Sequence, residues 1–162
     1  MIFERSVLRN QPFFILLWQM KMKILLQVVE LEDDNFHLVA QSVFEDKTTG
    51  FWVIDTGASK TVFDKNLEGL YVSEEAGSDQ LHTAGIGEKP IETTIAFLNT
   101  FSLGKLTVKN LKVALLDLTH INKLYSKATS KKICGLLGGD FLMKNQAEID
   151  YREKIMVLHI KK

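Results

Sequence analysis

The residues best suited to chemistry lie in the stretch 51–63, FWVIDTGASKTVF. Residues 51–54 are large and apolar without a polar break, which is typical of a short strand buried on both faces. Asp55 ends this strand, and the small residues Thr56 and Gly57 follow it in a turn. A carboxylate in this position loses hydration, which disfavours its charged form unless neighbours compensate. We therefore expect Asp55 to serve chemistry as well as folding.

The turn resembles the catalytic loop of aspartic proteases, in the single-motif form found in retroviral proteases and their bacterial and cellular relatives. The resemblance rests on Asp55, Thr56 and Gly57 between two apolar runs. An Asp-Thr-Gly triplet is also an ordinary turn sequence, so the motif needs support from the rest of the chain. The resemblance implies a catalytic loop made of these three residues, with Ala58 and Ser59 supporting it. Retroviral members commonly carry an acidic residue in place of Ser59, so we expect the bracing to differ in detail.

A second stretch, residues 133–142 with the sequence ICGLLGGDFL, follows in the order that the resemblance requires. Leu136 and Leu137 lead into Gly138 and a short helix, which Asp140 is expected to cap. Any strand-to-helix corner could use glycine in this way. In retropepsin-like proteases, however, two apolar residues, a glycine and a short helix pass beside the catalytic loop and brace it. By this resemblance Leu136, Leu137 and Gly138 support the catalytic loop.

A hairpin with a glycine-bearing tip lies between these two stretches. Residues 81–98 read as two strands around the tip GIGEKP, and the returning strand alternates apolar and polar residues. An ordinary surface hairpin is the simpler interpretation, because glycine-tipped turns are common. In the resembled family, a hairpin in this part of the chain is the flap that closes over substrate. The resemblance then implies that the flap residues are His82, Thr83, Ala84, Gly85, Ile86 and Gly87.

The implied reaction needs two carboxylates that share one proton, because like charges close together cannot both ionise. The ionised member accepts a proton from water as the water attacks the peptide carbonyl, and the protonated member donates a hydrogen bond to that carbonyl. No metal or cofactor takes part. The chain has one Asp-Thr-Gly, and Asp150 is rejected as a second catalytic group because no Thr-Gly follows it. Activity therefore requires a homodimer in which each chain contributes Asp55.

Two other functions remain open at this point. The chain could be a non-catalytic peptide-binding or dimerisation module that keeps a retropepsin-like fold. It could also be a different hydrolase that uses Asp55 as an isolated base, which predicts activity in a monomer. In the leading interpretation, an aspartic endopeptidase, the partners are a second copy of the chain and a peptide or protein substrate.

Composition limits the other classes of partner. The 162 residues are one domain's length and are 46% hydrophobic and 25% charged, with a formal net charge of zero. This balance argues against nucleic acid or an anionic membrane as a partner. The single cysteine fits a reducing compartment, and the four histidines lack metal-ligand spacing. No apolar run reaches the length of about 18 residues that a membrane-spanning helix needs.

From residue 23 onward the pattern is that of a mostly β protein. We expect a closed, barrel-like acid protease lobe over residues 23–162, with one or two short helices. One helix is predicted to begin near Thr119 and to pack on the sheet through one face, because apolar residues recur at helical spacing. This face comprises Ile121, Leu124, Tyr125 and Ala128.

Residues 1–22 are assigned to an amino-terminal extension. They combine two arginines with the apolar run 12–18 but lack a small-residue cleavage site, so a signal peptide is the minority interpretation. A cytoplasmic location is expected. If the apolar run is a signal, a secreted or periplasmic location follows instead.

Overall fold

The computed structural model describes residues 19–73, 81–83 and 91–161, which form thirteen strands and two short helices. The strands are β1 (Gln19–Glu30), β2 (Phe36–Phe44), β3 (Thr49–Ile54), β4 (Val62–Asp64), β5 (Tyr71–Ser73), β6 (Leu81–Thr83), β7 (Ile91–Leu98), β8 (Phe101–Leu103), β9 (Leu106–Val108), β10 (Lys112–Leu116), β11 (Ile133–Leu137), β12 (Glu148–Asp150) and β13 (Ile155–Lys161). The helices are α1 (Thr119–Ala128) and α2 (Gly139–Lys144). The expected mostly β class with two short helices is confirmed.

The strands join in the order β12-β13-β1-β2-β3-β11-β4-β10-β7-β5, with β6 paired to β7 and the β8–β9 hairpin attached to β2. A closed barrel would give every strand two neighbours. Over the described residues the path instead has two ends, β12 and β5, so the sheet is open rather than closed. The catalytic-loop candidate lies near the middle of this path, directly after β3.

Strand β3 is buried on both faces, as its unbroken apolar run predicts. Trp52 is 0% exposed and belongs to the larger of two cores, where its ring centroid lies 5.6 Å from that of Phe63 and 5.4 Å from that of Phe101. Val53 points to the opposite side and belongs to a second core, which also contains Tyr125 of α1. Successive strand residues face opposite sides of a sheet, so β3 separates the two cores and is held by both.

Strand β11 lies between β3 and β4, and this arrangement brings the two glycine-containing stretches together. It runs parallel to β3, with Leu137 opposite Ile54, and antiparallel to β4, with Gly135 opposite Phe63. A Cβ atom on Gly135 would lie 2.3 Å from the carbonyl oxygen of Val62. It would also collide with the ring of Trp52 in β3. Only glycine fits here, because the colliding carbonyl belongs to the backbone.

Helix α1 begins at Thr119, as predicted, but the packing of its apolar face differs from the prediction. Tyr125 is 2% exposed, whereas Leu124 is 39% exposed. The side-chain amide of Asn122 donates to the carbonyl of Ile133 at 2.9 Å and accepts from the amide of the same residue at 2.8 Å. The helix is therefore fixed to the start of β11 by a paired hydrogen bond as well as by apolar contact.

The hairpin expected over residues 81–98 is present as paired strands, with Leu81 opposite Thr93 and Thr83 opposite Ile91. The flap residues Ala84, Gly85, Ile86 and Gly87 lie outside the described residues.

The first strand extends further toward the amino terminus than the sequence indicated. Gln19 opposes Lys161, and Met22 opposes Leu158, so the expected boundary between residues 22 and 23 falls inside β1. Residues 1–18 lie outside the described part of the chain. In the part that is described, neither helix has the length and apolar character to cross a membrane.

Candidate active site

Asp55 follows β3 directly and is half-buried. Its backbone amide donates to the carbonyl of Leu137 at 3.1 Å, which extends the pairing of β3 and β11 by one residue. Its Oδ1 atom accepts hydrogen bonds from the amides of Gly57 at 3.0 Å and Ala58 at 3.1 Å. The carboxylate is therefore turned back over its own loop and held there by backbone donors. Oδ2 makes no hydrogen bond to another described residue.

The loop is also tied to the chain after β11. The amide of Gly139 donates to the carbonyl of Ala58 at 2.7 Å. Thr61 donates to Oδ1 of Asp140 twice, from its amide at 2.8 Å and from its hydroxyl at 2.7 Å, and the same hydroxyl accepts from the amide of Gly138 at 3.1 Å. These bonds join residues 58 and 61, after Asp55, to the segment 138–140 that follows β11. That Gly138 supports a catalytic loop stays a prediction.

The role of Asp140 differs from the predicted helix cap. Gly138 occupies the cap position of α2, and Asp140 lies inside the first turn. Its Oδ1 atom accepts from the amide of Phe141 at 2.8 Å in addition to the two bonds from Thr61. A carboxylate that accepts several hydrogen bonds is a stronger anchor than a neutral acceptor. Asp140 therefore joins the helix to the catalytic loop.

Gly138 is required by close approach to the loop. A Cβ atom there would lie 2.5 Å from the carbonyl carbon and oxygen of Lys60 and 2.9 Å from the amide nitrogen of Thr61. At Gly139 the nearest such contact is 3.4 Å, to the carbonyl oxygen of Ala58. The two adjacent glycines therefore differ, because only the first leaves no room for a methyl group.

Gly57 does not occupy the left-handed region of backbone conformation. A Cβ atom there would lie 3.4 Å from Oδ1 of Asp55, which is an ordinary contact. Neither the backbone conformation nor this contact therefore requires glycine at position 57. Gly57 is exposed together with its neighbours Thr56 and Ser59. The hydroxyl of Ser59 makes no hydrogen bond within the described residues.

A groove of about 310 Å³ opens beside the carboxylate, and we call it the Asp55 groove. Its lining comes from β2, β3, α1, β11 and the turn before β13, and includes Asp55, His37, Leu38, Val53, Ile121, Leu124, Tyr125, Leu136 and Tyr151. Among the described residues that line the groove, Asp55 is the one that carries a carboxylate. Leu136, predicted as a supporting residue, therefore also contributes to the groove wall, and α1 contributes a wall in addition to packing on the sheet.

Other candidate groups do not share this setting. Asp150 is exposed and accepts from the amide of Glu153 at 2.9 Å, which explains it as a turn residue. Cys134 is 1% exposed, and burial raises the pKa of its thiol, so it is not an activated nucleophile. A larger groove of about 910 Å³, which includes Lys21 and Gln41, does not contain the catalytic-loop candidate. No group of acidic, histidine or cysteine side chains in the described residues has the makings of a metal site.

Residues 40–141 match the family described as aspartyl protease. The chain belongs to the aspartyl protease family. The match begins in β2 and ends in α2, so it includes Asp55, the β6–β7 hairpin and Gly138.

Two solved structures are similar to this aspartyl protease family member. A retropepsin-like aspartic protease from Rickettsia conorii is 17% identical, with a TM-score of 0.45, and the alignment covers 88% of this chain and 94% of that one. The retroviral protease-like domain of Ddi1 from Leishmania major is 14% identical, with a TM-score of 0.44, and the alignment covers 76% of this chain and 94% of that one. The search of curated proteins gives no match.

Four contributors to this aspartyl protease site were not selected from the sequence. Thr61 was counted with the apolar residues that follow the turn. Gly135 was named only as part of the stretch 133–142. Asn122 and His37 were not singled out at all. A buried threonine near a turn is a weak signal by itself, but its pairing with Asp140, which lies 79 positions away, gives it a clear role.

Proposed function

We propose that the protein is a homodimeric aspartic endopeptidase that hydrolyses peptide bonds with water activated between two Asp55 carboxylates. The observation that supports this most is the state of the Asp55 side chain. One of its oxygens is held by the amides of Gly57 and Ala58, and the other makes no hydrogen bond to a described residue. A carboxylate that is fixed at one oxygen and open at the other is suited to bind a water molecule in a defined position.

The proposed reaction uses one ionised and one protonated carboxyl group. The ionised Asp55 accepts a proton from water, and the oxygen of that water forms a bond to the carbon of the peptide carbonyl. The protonated Asp55 of the second copy donates a hydrogen bond to the carbonyl oxygen and stabilises the charge that develops there. Collapse of the tetrahedral intermediate breaks the carbon–nitrogen bond, and a carboxyl group returns a proton to the departing amine.

A second copy of the chain is proposed because the Asp55 groove supplies a single carboxylate. The neighbouring residue Thr56 is exposed and stands beside the carboxylate, which suits a contact between two loops across a twofold axis. In the proposed dimer, hydrogen bonds between the two Thr56 residues hold the loops together. The two carboxyl groups then lie close enough to share one proton.

The substrate is proposed to bind as an extended peptide between the catalytic loops and the β6–β7 hairpin. An extended chain satisfies its backbone groups against neighbouring strands and places alternate side chains in pockets. The residues proposed to touch substrate are His82, Thr83, Ala84, Gly85, Ile86 and Gly87. Support comes from the paired strands that carry this segment and from the family match that includes it.

The test is cleavage of a denatured-protein mixture between about pH 4 and 7, with the mass of each protein in solution recorded. Wild type is compared with Asp55→Asn, and Asp150→Asn serves as the matched control because Asp150 is an exposed turn residue. We expect activity in wild type and in the control, in a dimer, and none in Asp55→Asn. Cleavage that survives Asp55→Asn would exclude the mechanism, and activity in a strict monomer would support the isolated-base alternative. A dimer that binds peptide without cleaving it would indicate the non-catalytic module.

A further inference from the structure

A polar pair that the proposed mechanism does not use lies in the wall of the Asp55 groove. His37 is on β2 and Tyr125 is on α1, and Nδ1 of His37 shares a hydrogen bond with the Tyr125 hydroxyl. The two ring centroids are 5.7 Å apart. Tyr125 is 2% exposed and His37 is half-buried, and both line the groove together with Asp55. The pair is therefore built into the site rather than scattered on the surface.

The Tyr125 hydroxyl can donate to Nδ1 of His37 or accept from it, and the tautomer of the imidazole sets the direction. Burial raises the pKa of Tyr125 to about 12, so its hydroxyl keeps its proton in neutral and acidic solution. In the tautomer that accepts this proton at Nδ1, the imidazole carries its own proton on Nε2. A protonated imidazole also donates from Nε2, so both of these forms offer the same donor.

This donor is left for a ligand. Nε2 of His37 makes no hydrogen bond to another residue in the described part of the chain. The pairing of β2 with β3, in which Val39 opposes Val53, continues toward His37 on one strand and Asp55 just beyond the other. A group that accepts a hydrogen bond from His37 would therefore lie beside the reacting carboxylate.

The rest of the groove suits an apolar or aromatic body. Val53, Ile121 and Leu136 belong to its wall, and its volume of about 310 Å³ is at the lower end of the range for ligand pockets. That space holds one large side chain and not a whole peptide. An acidic side chain would be repelled by the negative charge of the carboxylate dyad, so the preferred tip is a neutral acceptor.

We propose that the Asp55 groove selects a substrate side chain with an aromatic body and a neutral hydrogen-bond acceptor at its tip, tyrosine over phenylalanine, through Nε2 of His37. The inference rests on the proposed function, since it assigns the side chain that lies next to the cleaved bond. His37 is the specificity-determining residue. Tyr125 is a positioning residue, because its hydroxyl holds Nδ1 of the imidazole and so favours the tautomer that carries the proton on Nε2.

The test measures binding without requiring cleavage. N-acetyl-tyrosine amide and N-acetyl-phenylalanine amide, which differ by one oxygen atom, are titrated into the full-length protein, and the imidazole signals are followed by NMR. We expect wild type to bind the tyrosine amide about 3- to 10-fold more tightly, with the largest shift at His37, because one hydrogen bond in a half-buried site is worth about that factor. The preference should disappear in His37→Leu and remain in His120→Leu, which removes an exposed histidine of α1.

Two further variants separate recognition from folding. His37→Gln keeps a side-chain donor and should retain part of the preference even if the leucine variant folds poorly. Tyr125→Phe should weaken the preference without abolishing it, because the imidazole proton can then occupy either nitrogen. Equal binding of the two amides by wild type, no binding of either, or a preference that persists in His37→Leu would overturn the proposal. This test measures binding alone, so a negative result would not count against the proposed cleavage reaction. A protein that failed to cleave peptides could still be tested for this binding preference.

Discussion

A single methyl group at Gly138 is expected to displace the catalytic loop. The added Cβ atom would lie 2.5 Å from the carbonyl carbon and oxygen of Lys60, whereas carbon atoms at optimal contact are about 3.5 to 4.0 Å apart. The backbone must therefore move by about 1 Å to accept it. The colliding atoms belong to the backbone, and Thr61 beside them is tied to Asp140, so no side-chain rotation can relieve the contact.

The size of the effect follows from this geometry. Forcing an extra carbon into a packed site costs about 1 to 3 kcal/mol, and the upper end applies because backbone atoms must move. Strain on the bond from the amide of Gly138 to the hydroxyl of Thr61 adds about 1 kcal/mol. A loss of about 4 kcal/mol lowers the midpoint of thermal unfolding by about 8 to 16 °C in a domain of this size. A catalytic group misplaced by about 1 Å loses about 100-fold in rate.

The assay compares Gly138→Ala with Gly139→Ala by calorimetry and by peptide cleavage. At Gly139 the added carbon would meet only an ordinary contact of 3.4 Å, and alanine favours the helix that begins there. We therefore expect Gly139→Ala to have a free energy of unfolding within about 1 kcal/mol of wild type and a near-normal cleavage rate. The two substitutions are chemically identical and adjacent. Equal unfolding midpoints and equal cleavage rates for the pair would refute the reasoning that close approach to the loop makes Gly138 necessary.

Three further predictions concern the elements that hold the site. Thr61→Val should cost about 1 to 3 kcal/mol in chemical denaturation, because it leaves the buried amide of Gly138 without its acceptor, whereas Thr61→Ser keeps the hydroxyl and should cost less; equal costs would contradict this. Asn122→Leu removes both bonds to Ile133 and should cost about 1 to 3 kcal/mol, with faster amide hydrogen exchange at Ile133 as the local readout. A hydrogen bond from the side chain of Thr119 holds the pKa of Asp117 well below its usual range. The unfolded chain therefore binds a proton first as the solution is acidified, so the stabilisation by Asp117 is present above about pH 4 and is lost below it. The Asp117→Asn variant should therefore lose less stability than wild type between about pH 4 and 2. Parallel losses of stability in the two proteins would rule out this role.

The local features of the fold could be predicted from the sequence because they depend on residues near one another in the chain. The apolar run before Asp55 does form a strand buried on both faces, and α1 begins at Thr119 as its spacing indicates. The β pattern was recognised only from residue 23 onward, whereas β1 begins at Gln19, because its first residues gain their strand conformation from pairing with β13, as Gln19 does with Lys161. Pairing of that kind depends on residues far away in sequence.

The site depended more strongly on distant contacts, and the sequence indicated less of it. The triplet beginning at Asp55 is a local pattern and was found. Thr61 has no local pattern that marks it, because its partner Asp140 is 79 positions away. Tyr125 was assigned to a face that packs on the sheet, whereas its hydroxyl meets His37, which is 88 positions away. Helical spacing shows which residues share a face, but it does not show which cavity that face borders.

The central claim, that two chains each contribute Asp55 to one reaction centre, is tested most directly by mixing wild type with Asp55→Asn. The total protein concentration is held constant, subunits are allowed to exchange, and the cleavage rate per wild-type chain is measured as the mutant fraction rises. If a mixed dimer with one Asp55 is inactive, the rate per wild-type chain falls in proportion to the wild-type fraction, because only wild-type pairs cleave. A rate per wild-type chain that stays constant at every ratio, with exchange demonstrated by mass, would contradict the shared centre.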